Sequence, residues 1–204
     1  MKNIVYTLLS IIPYFRFLKK TKHLPQPITL RMWFMQKVLG FNRKAYWPVH
    51  HRSVVNVPKN YLLGINVFPG YYPGCYIQGI GKVHIDDYTI IESGVGIIGA
   101  NHFILDIRKH MPGYVKIGKD CVLGKNSIIL PNVELGDHTQ VLPGTVVKDS
   151  FKDGYCIVGG NPAVLVKAID RDEARKNEYQ SDVKYRGYIS EKDFESYRKF
   201  NLWV

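Results

Sequence analysis

IGKDCVLGKNSIILPNVELGDHTQVLPGTVVKDSF, residues 117–151, repeats with a period of six. An aliphatic residue opens every unit, at Ile117, Leu123, Ile129, Leu135, Val141 and Val147, and a small or β-branched residue stands four places later, at Cys121, Ser127, Val133, Thr139 and Thr145. A period of six is neither the two of a half-buried strand nor the 3.6 of a helix. Each unit is therefore one short strand plus a turn, and such units stack because none buries its apolar face alone. The fold class is mainly β, a parallel β-helix with three units per coil, so that each opening residue stacks on the one eighteen residues earlier. Burying each contributes roughly 1.5–3 kcal/mol.

The same register appears upstream, where Ile85, Ile91 and Ile97 open IDDYTI, IESGVG and IIGANH. From Ile97 to Ile117 the spacing is 20 residues where the repeat allows six, so 14 residues leave the coil. Segments carried on rigid scaffolds are where function concentrates. The expected division is a helical and irregular segment over 1–57, a β-helix domain over 58–167 with an excursion loop at 101–116, and a charged tail over 168–204.

Lys+Arg of 28 against Asp+Glu of 17 gives a net +11, which favours an anionic partner: a phosphate-bearing cofactor, an acidic glycan, a membrane surface or nucleic acid. Charge alone does not choose among them. Three cysteines, Cys75, Cys121 and Cys156, show no metal spacing, no metal site is expected, and an odd number fits a reduced, cytoplasmic protein. Residues 3–18 are apolar but interrupted by Pro13 and Arg16, too short and broken for a spanning helix, and no small-residue cleavage site marks a signal peptide. With Arg16, Lys19, Lys20 and Lys22 close by, residues 1–22 read either as a helix lying in the inner-leaflet interface or as one packed on its own domain or a neighbouring subunit. Thr29 is placed to cap a second helix that Gly40 stops, and its apolar residues cover enough of the circumference to predict burial against the coil or another subunit. His50 and His51 are adjacent, so their side chains are expected to diverge. Ser190 stands where a short C-terminal helix with an acidic first turn would begin.

IIGANH, ILPNVELGDHTQVLPGTVVKDSF and IVGGNPAVLVK together resemble the hexapeptide-repeat acyltransferases, the group of maltose, galactoside and serine acetyltransferases, over about residues 58–167. Within that group GCYIQGIGKVHIDDYTIIESGVGIIGANH, RMWFMQKVLGF and WPVHHRS are most similar to bacterial acetyltransferases of capsular and other surface polysaccharides. The resemblance implies a left-handed coil, a homotrimer, acetyl-CoA as donor and a carbohydrate acceptor, with no nucleic acid as partner. It also makes His102, at the end of the last regular unit before the excursion, the general base that takes the acceptor's proton. Asn101 beside it either orients the substrate or the loop, or is a turn residue in left-handed backbone geometry. Asp106, Asp87, Glu92 or a backbone carbonyl would each serve as the partner of the second imidazole nitrogen, and His110 reads as a surface residue.

By the same resemblance Lys125, Pro143, Gly144 and Lys148 line the pantetheine path, and Asn161, Pro162 and Lys167 lie near the nucleotide. Val164 departs from the pattern, since many relatives carry arginine there, which leaves Lys167 more of the electrostatic role. The expected function is direct O-acetylation of a sugar hydroxyl in surface-polysaccharide biosynthesis. An N-acetyltransferase of an amino sugar or small amine, and a non-catalytic β-helix binding module, are the alternatives. The expected location is the cytoplasm, peripheral at the inner membrane face if residues 1–22 meet lipid.

Overall fold

A computed structural model describes residues 2–204, with side chains from Tyr6 onward. In chain order the first coil strands are β1 (Val54–Asn56), β2 (Tyr61–Leu63), β3 (Tyr76–Gln78), β4 (Lys82–Ile85), β5 (Ile90–Ile91) and β6 (Gly96–Ile98). A hairpin of β7 (Ala100–Phe103) and β8 (Asp106–Pro112) follows. The coil resumes as β9 (Tyr114–Ile117), β10 (Val122–Leu123), β11 (Ile128–Ile129), β12 (Glu134–Leu135), β13 (Thr139–Val141), β14 (Val146–Val147) and β15 (Cys156–Gly159), and β16 (Val164–Ala168) turns back antiparallel on β15.

These strands form three parallel faces: β1-β3-β6-β11-β14, then β2-β4-β9-β12, then β5-β10-β13-β15. The stacking is the one the six-residue period demands. Ile97, Ile129 and Val147 align on the first face, Ile85, Ile117 and Leu135 on the second, and Ile91, Leu123, Val141 and Val158 on the third. Every opening residue from Ile117 to Val147, and every small residue from Cys121 to Thr145, is no more than 1% exposed. Two core hydroxyls find partners at the corners, Thr89 Oγ1 donating to the Gly118 carbonyl at 2.7 Å and accepting from the Cys121 N–H at 3.0 Å, and Thr139 Oγ1 donating to the Gly136 carbonyl at 2.7 Å. The Ser127 and Thr145 hydroxyls, by contrast, are buried without a hydrogen-bond partner among the described residues. The step from Ile85 to its partner Ile117 is 32 residues instead of eighteen, the difference being the fourteen of the hairpin.

Several boundaries differ from expectation. The coil begins at Val54 rather than 58, because β1 pairs with β3 on the first face. Residues 114–116 are already back in the coil as β9, so the excursion ends at the hairpin. His50 and His51 do not diverge; their rings stack with centroids 4.2 Å apart, the chain bending there as the His50 Nδ1 accepts from the Arg52 N–H.

Two short helices, α1 (Lys2–Leu9) and α2 (Arg16–Lys20), open the chain. Among the described residues no helix is long and apolar enough to cross a membrane. Within the segment over residues 1–22, whose side chains are described from Tyr6, Phe17 and Leu18 are core, whereas Leu8, Ile11, Ile12 and Tyr14 are exposed. Thr29 does cap α3 (Leu30–Trp33), accepting from the Met32 N–H at 3.2 Å, and the helix continues as one wider turn over Phe34–Val38. Its burial on the coil is partial, with Leu30 and Trp33 packed against the core. Phe34, Val38 and Leu39 are exposed in the single chain, and the buried residue is the polar Gln36, whose amide donates to the Trp47 carbonyl at 2.9 Å and accepts from Tyr188 Oη at 2.7 Å.

The tail packs on the outside of the coil. It contains α4 (Arg171–Lys176), a small hairpin of β17 (Tyr185–Arg186) and β18 (Ile189–Ser190), and α5 (Glu191–Asn201). Arg186 fixes it, donating to the Leu63 carbonyl at 2.8 Å while paired with Glu191 at 2.6 Å, and Phe194 of α5 is buried. α5 starts where expected, but the Ser190 hydroxyl bonds the Asp193 carboxylate rather than a helix N–H.

Candidate active site

The hairpin leaves the coil at the corner between the first and second faces, on a base of three glycines. A Cβ on Gly81 would lie 2.0 Å from the Gly113 oxygen and 2.1 Å from the Gly99 oxygen, so no side chain fits where these backbones meet. The Gly113 N–H donates to the Gly99 carbonyl at 2.8 Å, and the Ala100 N–H to Gln78 Oε1 at 2.9 Å, which fixes the direction in which the strands depart.

His102 sits on β7 opposite His110 on β8, the two rings 4.5 Å apart between centroids. Its Nδ1 lies 2.8 Å from the Ile107 carbonyl oxygen. A carbonyl only accepts, so in the neutral ring Nδ1 carries the proton and Nε2 keeps a lone pair. His102 is exposed, leaving that lone pair open to an acceptor. The arrangement fixes the ring's tautomer through a backbone partner and leaves Nε2 able to accept a proton.

Of the partners open to His102, the backbone carbonyl is the one in place, and Asp106 is not. Its carboxylate is taken by Arg108, with Nε at 2.8 Å and the Arg108 N–H at 3.2 Å, and Lys109 Nζ lies 3.7 Å away. Arg108 holds the Asp106 carboxyl below the usual carboxylate range. The other two carboxylates are engaged elsewhere: Glu92 accepts from the Lys125 N–H, and Asp87 from the Ile65 N–H. Asn101 lies in strand geometry opposite Met111, not in a left-handed turn, and is exposed beside His102.

The expected donor-binding residues do not fall in one place. Lys125, Pro143, Gly144, Asn161 and Pro162 line the corner between the third and first faces, where the Gly144 N–H donates to the Lys125 carbonyl at 2.9 Å. The Asn161–Pro162 peptide is cis. Gly144 has φ +70°, and a Cβ there would meet nothing within 4 Å, so the surface in front of it is open. Lys148 follows β14 at the other end of the first face, the hairpin's corner, with its ammonium 2.7 Å from Asp149. Lys167 pairs with Ile157 near the start of β15, three residues along β16 from Val164 and away from Asn161. The two corners are separated by one face, about four residues at roughly 3.3 Å each.

The sequence reading missed one polar cluster. Asp120, His138 and Glu178 bring ligand-type atoms within 4.8 Å of one another. Asp120 and His138 are eighteen residues apart and share one corner column, both with left-handed φ (53° and 54°), so their proximity was legible in the repeat; Glu178 arrives from the tail. Lys119 Nζ lies 2.8 Å from Glu178 and 3.5 Å from Asp120, and His138 Nε2 lies 3.3 Å from the other Glu178 oxygen. An ammonium already stands where a metal would be bound. The cluster ties the tail to the coil.

Residues 114–149 match the family model described as bacterial transferase hexapeptide (six repeats). The chain is 35% identical over 85 residues to the Bacillus subtilis (strain 168) protein named "Putative acetyltransferase YvoF", a match covering 42% of this chain and 47% of that one. The chain thus spans about half or less of the length of the curated relatives it matches. Its fold aligns with a maltose O-acetyltransferase from Clostridium difficile 630 at a TM-score of 0.58 and 21% identity, covering 80% of this chain and 91% of that one. It also aligns with a hexapeptide-repeat acetyltransferase from Vibrio cholerae solved with acetyl coenzyme A, at a TM-score of 0.52 and 19% identity, covering 77% and 85%. At these identities the structural likeness carries the fold alone, that of the left-handed β-helix proteins.

Proposed function

We propose that the chain is a member of the hexapeptide-repeat transferase family, whose model matches residues 114–149, and that it transfers an acetyl group from acetyl-CoA to a sugar hydroxyl in bacterial surface-polysaccharide biosynthesis. The observation that carries this reading is His102, exposed on the hairpin with Nδ1 committed to the Ile107 carbonyl. Acetyl-CoA supplies an activated thioester carbonyl. His102 Nε2 takes the hydroxyl proton as the acceptor oxygen bonds to that carbonyl, and returns the proton to the sulfur as the carbon–sulfur bond breaks. Asn101, on the same strand, orients the acceptor.

Direct transfer needs no side-chain nucleophile, and the cysteines are not placed for one. The three cysteines are free and buried, and burial raises each thiol's pKa, Cys121 to about 12. Unpaired thiols suit a reducing, cytoplasmic location.

The functional unit in this reading is a homotrimer with the site between subunits. His102 and the open surface before Gly144 stand at different corners of one chain. The hairpin also presents Ile104, Leu105 and Ile107 at 75–87% exposure, apolar area that a second copy would cover. Incubation with labelled acetyl-CoA and a panel of sugar-hydroxyl and amine acceptors tests the function. Label on hydroxyl acceptors is expected; label on amines alone would make the chain an N-acetyltransferase, and none on any acceptor would leave a binding module.

Lys167 is the exposed cation assigned to the nucleotide end of the donor. Lys167→Ala is expected to raise the KM for acetyl-CoA roughly three- to tenfold, since one exposed lysine–phosphate contact contributes about 1 kcal/mol. The KM for the analogue lacking the 3′-phosphate should move less. Equal shifts would assign Lys167 to β16 pairing alone.

A further inference from the structure

The net charge of +11 is confined to one part of the chain. Residues 1–85 contain 12 Lys+Arg and no Asp or Glu, whereas residues 86–204 contain 16 Lys+Arg and 17 Asp+Glu. Most of the acid-free region cannot pair its cations internally, and the structure gathers several of them around one cavity.

That cavity, of about 720 Å³, lies between the α2 region, residues 37–46 and the start of α5. It is lined by Arg16, Lys20, Lys37, Arg43, Lys44 and Lys192, with Asp193 the one carboxylate among its walls. Asp193 is occupied by the Ser190 hydroxyl, and among the described residues none of the six cations forms an ion pair. Lys37 reaches only the Arg43 and Ala45 carbonyls and the face of Tyr188, and burial with Arg43 nearby lowers its ammonium to about 8. Pro13 and Tyr14 are among its lining residues, and Leu8, Ile11 and Ile12, just before them in the chain, are 51–74% exposed.

Unpaired cations in a pocket ask for a polyvalent anion, and an exposed apolar segment leading into it asks for hydrocarbon. A bilayer surface offers both together. A second copy of the same face would set six cations against six, with a single carboxylate on each side, Asp193, already held by the Ser190 hydroxyl. We propose that this cavity binds the phosphate-bearing headgroup of a membrane lipid, with Leu8, Ile11, Ile12 and Tyr14 seated at the acyl boundary. The site is separate from the hairpin and does not depend on acetyl transfer. It assigns membrane contact to a folded pocket rather than to residues 1–22 as a free helix. Deleting that segment would remove Phe17 and Leu18 from the core, so point substitutions are the appropriate probe.

The test is sedimentation of the full chain with vesicles of equal parts phosphatidylcholine and phosphatidylglycerol, and with vesicles of phosphatidylcholine alone. Binding is expected to the mixed vesicles. The triple variant Arg16→Gln, Arg43→Gln, Lys44→Gln should lower the partition coefficient at least about tenfold, because each basic residue near an anionic surface contributes roughly fivefold. A control of equal charge loss, Lys176→Gln, Lys184→Gln, Lys199→Gln, should change it less than about twofold. Ile11→Ser with Ile12→Ser keeps every cation and should also weaken binding. Equal loss in the two triple variants would reduce the effect to net charge and overturn the proposal. So would equal binding to phosphatidylcholine alone, or binding of inorganic pyrophosphate by a chain that ignores vesicles.

Discussion

Replacing His102 with alanine is expected to lower kcat by roughly 10²–10⁴-fold, the range of a lost general base, with fold and assembly unchanged. The structural side of this expectation follows from exposure. His102 contributes one hydrogen bond, to the Ile107 carbonyl, and one ring contact, to His110, both on a hairpin outside the core. Surface changes of this kind usually shift stability by less than about 0.5 kcal/mol. Steady-state kinetics with acetyl-CoA and the best acceptor of the panel, alongside a thermal melt, separate the two effects. Unchanged turnover with chemistry shown to be rate-limiting would remove His102 from the mechanism. A large fall in melting temperature would make it a structural residue.

Ile129→Ala is expected to destabilise the chain by about 2–5 kcal/mol, the range for truncating a large aliphatic side chain in a packed core. Ile129 is 0% exposed and stacks between Ile97 and Val147 on the first face. Its neighbour Ile128 points outward on the same strand and is 37% exposed, so Ile128→Ala should cost less than about 1 kcal/mol. The pair tests the six-residue register directly, because a slip of one residue would exchange the two roles. Equal denaturation midpoints for both variants would contradict the stacking.

The coil was legible in the sequence because each inward position recurs with the same chemistry: Ile117, Leu135 and the residues between them state both the period and the length of one turn. The hairpin was legible as a fourteen-residue surplus but not as paired strands. ANHF and DIRKHMP show no alternation of apolar and polar residues, since neither strand packs a face on the core, and exposed pairing leaves no such signature. The partner of His102 was open for a related reason. Asp106 stands two residues from Arg108, and that local ion pair captures the carboxylate that sequence proximity offered to the imidazole. Gln36 was hidden inside an apolar run, because a buried amide is stabilised by carbonyls from residues 42–47 that the local sequence does not reveal. The tail was least legible. The Asn66–Val183 and Lys119–Glu178 contacts join segments 117 and 59 residues apart, and no repeat relates them.

The site proposed here needs two chains, since one subunit's hairpin must meet another's open corner at Gly144. Co-expression of two inactive variants measures this. His102→Ala lacks the base, and Pro143→Trp places a large ring beside Gly144 at the donor corner. In randomly mixed trimers a site is intact when a Pro143→Trp chain supplies the hairpin and a His102→Ala chain the corner, which restores about one quarter of wild-type activity. Activity no higher than that of the two parents, in assemblies shown to be mixed, would place base and donor on the same chain and contradict the shared site.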